Sequence, residues 1–138
     1  GFDMACKVAL GADLCNMARP MLFALGCIQA LRCNTNTCPT GITTLDSSRQ
    51  KAIVIKDKQR REHQFHSNTM DAFLNLAGAM GATSLDDLSP DMIFCRSPKG
   101  LSTNYAEIFN YIKPGALLQD NIPAAYRTAW DNSSADHF

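Results

Sequence analysis

Apolar residues recur at helical spacing from the second position onward. Phe2, Ala5, Cys6, Ala9 and Leu10 fall at i, i+3, i+4, i+7 and i+8, and Gly11 supplies a natural stop. The pattern predicts a helix over 2–10 that is already under way at the second residue, the mark of a piece of something longer. "ADLCN", residues 12–16, follows as a short strand of weak propensity. "RPMLFALGCIQALRC" then turns apolar on nearly every side, with Pro20 suited to a first helical position. It predicts a helix to about Leu31 that is buried all round. Helix, strand, loop, helix is the rhythm of an α/β protein with a parallel sheet. A lone parallel strand leaves two unpaired edges, so the sheet is expected to be completed by missing N-terminal sequence or a companion chain.

Residues 32–56 read as loop, dense in Asn, Thr, Pro and Gly, with "AIVIK" at 52–56 as a short extended segment. Asp57 looks like the N-cap of a helix reaching Met80. Phe65, Thr69, Phe73, Leu76, Ala77 and Met80 lie on one face, and Gly81 terminates it. "SLDDLSPDMI" predicts two short turns, the second capped by Ser89 with Pro90 at its first position. "NYAEIFNYI" predicts an amphipathic helix with an Asn104–Glu107 cap and a stop at Pro114-Gly115. Pro123 opens a last helix to about Trp130, and the polar tail from Asp131 is expected to fray. No internal repeat or low-complexity tract interrupts this order.

The 138 residues suffice for one modest domain, and 13 basic residues balance 13 acidic ones. No basic field argues for nucleic acid, and no apolar run spans a membrane or has the order of a signal peptide. Six cysteines amid ordinary helices and six methionines point to a reduced, cytoplasmic setting, where clustered thiols read as metal-binding or redox-active. The sequon at Asn132 has no meaning there.

Cys27, Cys33 and Cys38 stand in the spacing C-x5-C-x4-C-P. Thiolates are the ligands of soft metal sites. Three readings stay open on the residues alone. A Cys3His zinc site would recruit His63 or His66 from the following helix. An iron–sulfur cluster with three iron corners would need no fourth ligand. Free thiols in a core would need neither. The amides and hydroxyls of "NTNTCPTG" suit cluster sulfurs better than an apolar core. His63 and His66 otherwise read as a solvated pair, and "KDKQRRE" as an exposed first turn whose two arginines could meet a partner. Cys6, Cys15 and Cys95 read as ordinary thiols, and Asp86 and Asp87 as caps.

The block "GADLCNMARPMLFALGCIQALRCNTNTCPTG" resembles the end of the FMN-binding barrel of glutamate synthase and its single-domain relatives. "DKQRREHQFHSNTMDAFLNLAGAMG" is similar to that family's post-cluster helix, including His66, Asn68 and Thr69. The resemblance covers about residues 1–95 and is loose after Arg96. It implies an α/β fold: the C-terminal portion of a (β/α)8 FMN-binding barrel plus a mostly helical extension, the chain by itself being mainly α. Residues 1–31 would be the barrel's last helix, strand and helix, 32–56 a cysteine-bearing loop, and 57–138 the extension. By the same resemblance, Cys27, Cys33 and Cys38 hold a [3Fe–4S] cluster. The turn Asn16-Met17-Ala18 offers backbone amides to the FMN phosphate.

The implied activity of the full protein is formation of L-glutamate from 2-oxoglutarate and ammonia or glutamine nitrogen, using FMN and the cluster. Ferredoxin or a nicotinamide-linked partner would be the electron donor. Most flavin contacts and the 2-oxoglutarate site belong to strands this sequence lacks, so the chain alone is expected to be inactive. Two rival readings are an electron-transfer module without flavin and a structural fragment that self-associates as a homo-oligomer through its strand and apolar helix.

Overall fold

A computed structural model describes residues 1–96, 98 and 100–136. The long helix α4, Ile55–Ala79, is the spine. Helices α1 (Phe2–Ala9) and α2 (Ala18–Leu25) both pack on it. A four-residue helix α3, Ser47–Gln50, lies in the loop before the spine. After the spine come two single turns, Leu85–Asp87 and Pro90–Met92. An antiparallel hairpin of β1 (Phe94–Arg96) and β2 (Ser102–Asn104) follows, then α5 (Tyr105–Ile108) and α6 (Ala124–Asp131).

The core is small and lies between α1, the second half of α4 and the turns that follow. Ala5, Cys6, Ala9, Phe73, Ala77, Leu88 and Ile93 form it, with Met4, Val8, Met70 and Leu76 against its edge. Ala5 and Ala9 allow α1 to approach closely, and the room this leaves is filled by Phe73, the one large side chain fully buried among the described residues. Phe73 and Ala77 of the predicted α4 face and Ala5, Cys6 and Ala9 of the predicted α1 face therefore point inward, while Phe2, at the start of α1, is 59 % exposed. The turn caps also follow the sequence. Ser84 and Asp87 form a reciprocal capping box and the Asn104 side chain accepts from the Glu107 N–H at 2.9 Å, whereas Ser89 stands ahead of Pro90 as expected but its side chain makes no cap bond.

Several expectations are corrected. Residues 12–16 form no strand; they run irregularly from α1 into α2. A parallel strand is held only by its neighbours, and among the described residues no strand pairs with this segment. Helix α2 stops at Leu25, six residues before Leu31. Gly26 turns left-handed at φ 108°, and the Cys27 N–H closes back on the Leu22 carbonyl at 2.9 Å. Nor is α2 buried all round: none of its residues is fully buried, and Phe23 is 40 % exposed. Pro20 sits at its third position rather than its first.

"AIVIK" forms no strand: Ala52 lies in a turn, Val54 is extended just ahead of the spine, and Ile55 and Lys56 are already helical. The spine begins at Ile55 with Val54 ahead of it, and Asp57 lies inside the first turn, paired to Arg60 at 3.2 Å. Helix α5 ends at Ile108, well before Pro114. Asn110 takes φ 47° and the Tyr111 N–H reaches the Ala106 carbonyl at 2.8 Å, the same left-handed closure that glycine provides elsewhere. The hairpin went unforeseen because "FCR" and "STN" show no alternation. The tail expected to fray from Asp131 is described to Asp136, with its last two residues outside the described set.

Candidate metal centre

The cysteine loop is built from backbone turns and a single 3-10 turn, Cys33–Thr35. Gly26 ends α2 and delivers Cys27 at once into a stretch of uncommon conformations. Gln29, Leu31 and Asn36 all have positive φ, between 54° and 59°. For a residue such as Leu31, 87 % exposed and without a side-chain hydrogen bond to offset it, the left-handed region costs about 1–2 kcal/mol. Backbone strain of this kind persists only where surrounding structure fixes it.

A hydrogen-bonded clasp does the fixing on the far side. Thr44, 7 % exposed, donates its hydroxyl to the Asn36 carbonyl at 2.7 Å. The Asn36 side-chain oxygen accepts from the Leu45 N–H at 2.6 Å. Arg49 reaches back to the Thr37 carbonyl at 2.9 Å while pairing with Asp46 at 3.1 Å. Gln50 donates to the Thr44 carbonyl at 2.8 Å. Asp46 caps α3 through Ser48, and those bonds, led by the Ser48 hydroxyl, hold its carboxyl below the usual range. Gly41 is buried against the Arg49 backbone so closely that a β-carbon there would overlap its carbonyl.

Inside this frame Cys27, Cys33 and Cys38 line one cavity of about 30 Å³, room for about one water. Leu22, Ile28, Leu31 and Ile42 make its apolar wall. Cys38 is buried, Cys27 half-buried and Cys33 exposed. The Gln29 N–H points at Cys27 Sγ, 3.4 Å away, and the Thr40 hydroxyl lies 3.3 Å from Cys38 Sγ. Bonding from the Thr40 hydroxyl, followed by the Thr43 N–H, lowers Cys38 from 9.0 to about 6, so it is largely thiolate at neutral pH. The Thr43 hydroxyl also lines the cavity. It is buried, and although close enough to favour the Cys38 thiolate it completes no hydrogen bond within the described residues.

The structure thus brings the three sequence-predicted cysteines together. The thiols ring the cavity and do not converge on a point: among the described residues no three His, Cys, Asp or Glu side chains are placed to hold a single ion. His63 and His66 stand exposed on α4 and take no part in the cavity wall, so the Cys3His arrangement is not assembled. Cys6 belongs to the core, and Cys95 lies on β1. Asn16, Met17 and Ala18 lead into the N-terminus of α2, which has no side-chain cap; Asn16 and Ala18 are exposed. Asn36, Thr44 and Arg49 were not singled out in advance. Only the density of Asn and Thr in the loop hinted at them. No helix among the described residues is long and apolar enough to cross a membrane.

Comparison with known proteins agrees with the cysteine block. The sequence profile described as "Conserved region in glutamate synthase" matches residues 1–83. The chain is 41 % identical over 101 residues to the glutamate synthase large subunit-like protein YerD of Bacillus subtilis, covering 73 % of this chain and 19 % of that protein. It is 28 % identical over 106 residues to the archaeal-type glutamate synthase [NADPH] of Dehalococcoides mccartyi, covering 77 % and 21 %. With the glutamate synthase [NADH] of Saccharomyces cerevisiae it shares 46 % identity over 46 residues, 33 % of this chain and 2 % of that one. The chain therefore spans about a fifth or less of the length of these curated relatives. No solved structure matches it significantly. The cysteine-bearing loop and the helices around it fall within the matched region, and on that match the chain belongs to the glutamate synthase family.

Proposed function

We propose that this chain is the iron–sulfur section of a glutamate synthase-like oxidoreductase, with Cys27, Cys33 and Cys38 holding a [3Fe–4S] cluster. The observation that carries this is the convergence of the three thiols on one apolar cavity. A single ion wants its ligands close around a point. A cluster with one cysteine per iron takes three thiols that line one pocket, as these three do. The donor chemistry fits as well: a thiolate at Cys38, the Gln29 N–H at Cys27, and a buried Thr43 hydroxyl with no bond to the described residues are the groups that neutralise cluster sulfurs. The cavity is smaller than a cluster, so loading it requires the loop to open. The positive-φ residues between Cys27 and Cys38 are where that adjustment would fall.

In the whole protein the reaction would be formation of L-glutamate from 2-oxoglutarate and ammonia or glutamine nitrogen. A bound flavin would supply hydride transfer and the cluster one-electron transfer. The chain's own residues contribute binding and exclusion. Leu22 and Ile42 give the pocket an apolar wall, and Thr40 and Thr43 stabilise the charge on Cys38. The Asn16–Ala18 turn fits the FMN phosphate, since the uncapped start of α2 leaves its first N–H groups free of side-chain partners. The remaining flavin contacts, the 2-oxoglutarate site and the (β/α)8 barrel they would occupy are supplied from outside this chain, and the isolated chain is inactive.

The test is anaerobic reconstitution with iron and sulfide, followed by iron analysis and absorption between about 300 and 700 nm, where thiolate-to-iron charge transfer absorbs. Wild type and Cys95→Ser are expected to bind iron alike, and Cys33→Ser to bind none. Equal iron in the two variants would remove the cluster assignment.

A further inference from the structure

The segment after the hairpin builds a second cavity, from residues far along the chain from the cysteines. Asn110 takes φ 47° just after α5, and Gly115 takes φ 77° ahead of a single turn, Ala116–Leu118. With these two reversals the segment 111–118 lines one cavity together with α6. The Tyr126 hydroxyl donates to the Asn110 carbonyl at 2.8 Å and ties α6 to the end of α5. Tyr126 and Trp130 stand at i and i+4, on one face of α6. Tyr111 joins them, its hydroxyl oxygen 3.2 Å from where a β-carbon on Gly11 would lie, at the end of α1. The cavity measures about 400 Å³, within the range of pockets that take small molecules. It gathers the only tryptophan of the chain and two of its three tyrosines. Lys113 is its one charged lining residue and makes no ion pair among the described residues. Asp120 and Asp131 stand close by in sequence and line no part of it, and Arg127 turns back to the Ile122 carbonyl at 3.4 Å.

We propose that this cavity binds a flat aromatic carboxylate, its ring against Tyr111, Tyr126 and Trp130 and its charge on the Lys113 ammonium. Aromatic rings attract one another at offset and edge-on geometries beyond the area they bury, so three of them favour a planar ligand over an aliphatic one. The sign of the charge follows from Lys113, which repels a cation and has no lining carboxylate to offset it. The indole N–H of Trp130 only donates, and the Tyr126 hydroxyl proton is already committed to Asn110. The free side-chain N–H groups of the site therefore suit an acceptor. The Tyr126–Asn110 bond holds α6 in place before any ligand arrives, which lowers the cost of binding. The site lies beyond residues 1–83, the stretch matched to the glutamate synthase profile, and uses none of the cysteine pocket. It stands whether or not the chain takes up iron.

The test is calorimetry on the full-length protein with three probes of one size: 2-naphthoate, the cationic 2-(aminomethyl)naphthalene, and decahydro-2-naphthoate, which keeps the charge and loses the flat ring. 2-Naphthoate is expected to bind with a dissociation constant of about 1 mM or below, the cation not to bind, and the saturated acid to bind about fivefold or more weakly. Lys113→Glu should weaken 2-naphthoate about tenfold or more while Lys113→Arg binds as wild type does. Trp130→Ala should weaken it by a similar factor and Trp130→Phe by less. Lys113 is exposed, so its charge reversal leaves the fold intact and reads the site alone. Undiminished binding by Lys113→Glu would place the ligand elsewhere in the protein and overturn the site. Equal binding of acid and amine would remove the charge argument, and equal binding of the flat and saturated acids the ring argument. No heat from 2-naphthoate at about 10 mM, ten times the expected constant, would overturn the proposal outright.

Discussion

Replacing Gly41 by alanine tests whether the clasp around Cys38 is what shapes the cysteine pocket. Gly41 adopts φ 80°, and a β-carbon there meets the Arg49 carbonyl carbon at 2.9 Å and Gln50 Cα at 3.3 Å, with the Arg49 oxygen nearer still. All of these are backbone atoms and cannot rotate aside. The left-handed conformation alone costs an L-residue about 1–2 kcal/mol. Forcing a methyl into packed surroundings adds about 1–3 kcal/mol. The sum, about 2–5 kcal/mol, is a large share of the roughly 5–15 kcal/mol that holds a domain together.

Gly81 supplies the control. It has φ 85° and nothing within 4 Å of the added carbon, so Gly81→Ala carries the first penalty without the second. Urea unfolding should therefore show Gly41→Ala less stable than Gly81→Ala by about 1–3 kcal/mol. The local consequence is more specific. Displacing the Arg49 carbonyl strains its bond from the Ala52 N–H, and shifting Gly41 pulls on its own N–H bond to the Cys38 carbonyl. Iron uptake should accordingly fall in Gly41→Ala and stay at the wild-type level in Gly81→Ala. Equal stability of the two variants would refute the contact argument. Normal iron uptake by a destabilised Gly41→Ala would refute the link between clasp and pocket.

Three further outcomes are expected. Removing the Thr40 hydroxyl in Thr40→Val should raise the Cys38 pKa. Because the folded value of about 6 lies below the ordinary 9.0, the unfolded chain binds more protons between those pH values; metal-free wild type should lose stability as pH falls from about 9 to about 6, and the variant should lose less, as read from urea midpoints. Asp87 accepts from the Ser84 N–H, the Thr83 N–H and the Thr83 hydroxyl at 2.8, 2.8 and 2.9 Å, which lowers its pKa in that order of effect, so its contribution is present at neutral pH and lost on acidification through its folded pKa; Asp87→Asn should flatten the acid limb of a stability–pH curve. Phe73→Ala should cost about 3–5 kcal/mol in urea unfolding and Leu74→Ala, at a position 55 % exposed, about 0.5 or less; similar losses at both would mean that the α1–α4 core is misdrawn.

What the sequence revealed and what it hid divide along a physical line. Residues whose role is local were legible. The repeat from Phe65 to Met80 specifies a helix face wherever the chain sits, and Asp87 and Asn104 cap because their side chains reach their own backbone. The C-x5-C-x4-C spacing located the three thiols before any fold was known. Residues whose role depends on partners far along the chain were not. Thr44, Arg49 and Gly41 matter only because the loop folds back on Asn36, Thr37 and the α3 backbone, and no period or spacing announces that return. The misread segment 12–31 shows the same limit from the other side. Its apolar residues suit a fully surrounded strand and helix, yet Leu14 is 88 % exposed, Ile28 66 % and Leu31 87 %. A helix apolar on every side is stable only when something covers every side. That mismatch between composition and burial falls within the region matched to the glutamate synthase family, in relatives several times longer than this chain. It is also the stretch that delivers Cys27 to the cysteine pocket, so the exposed apolar residues and the pocket lie on one continuous segment of chain.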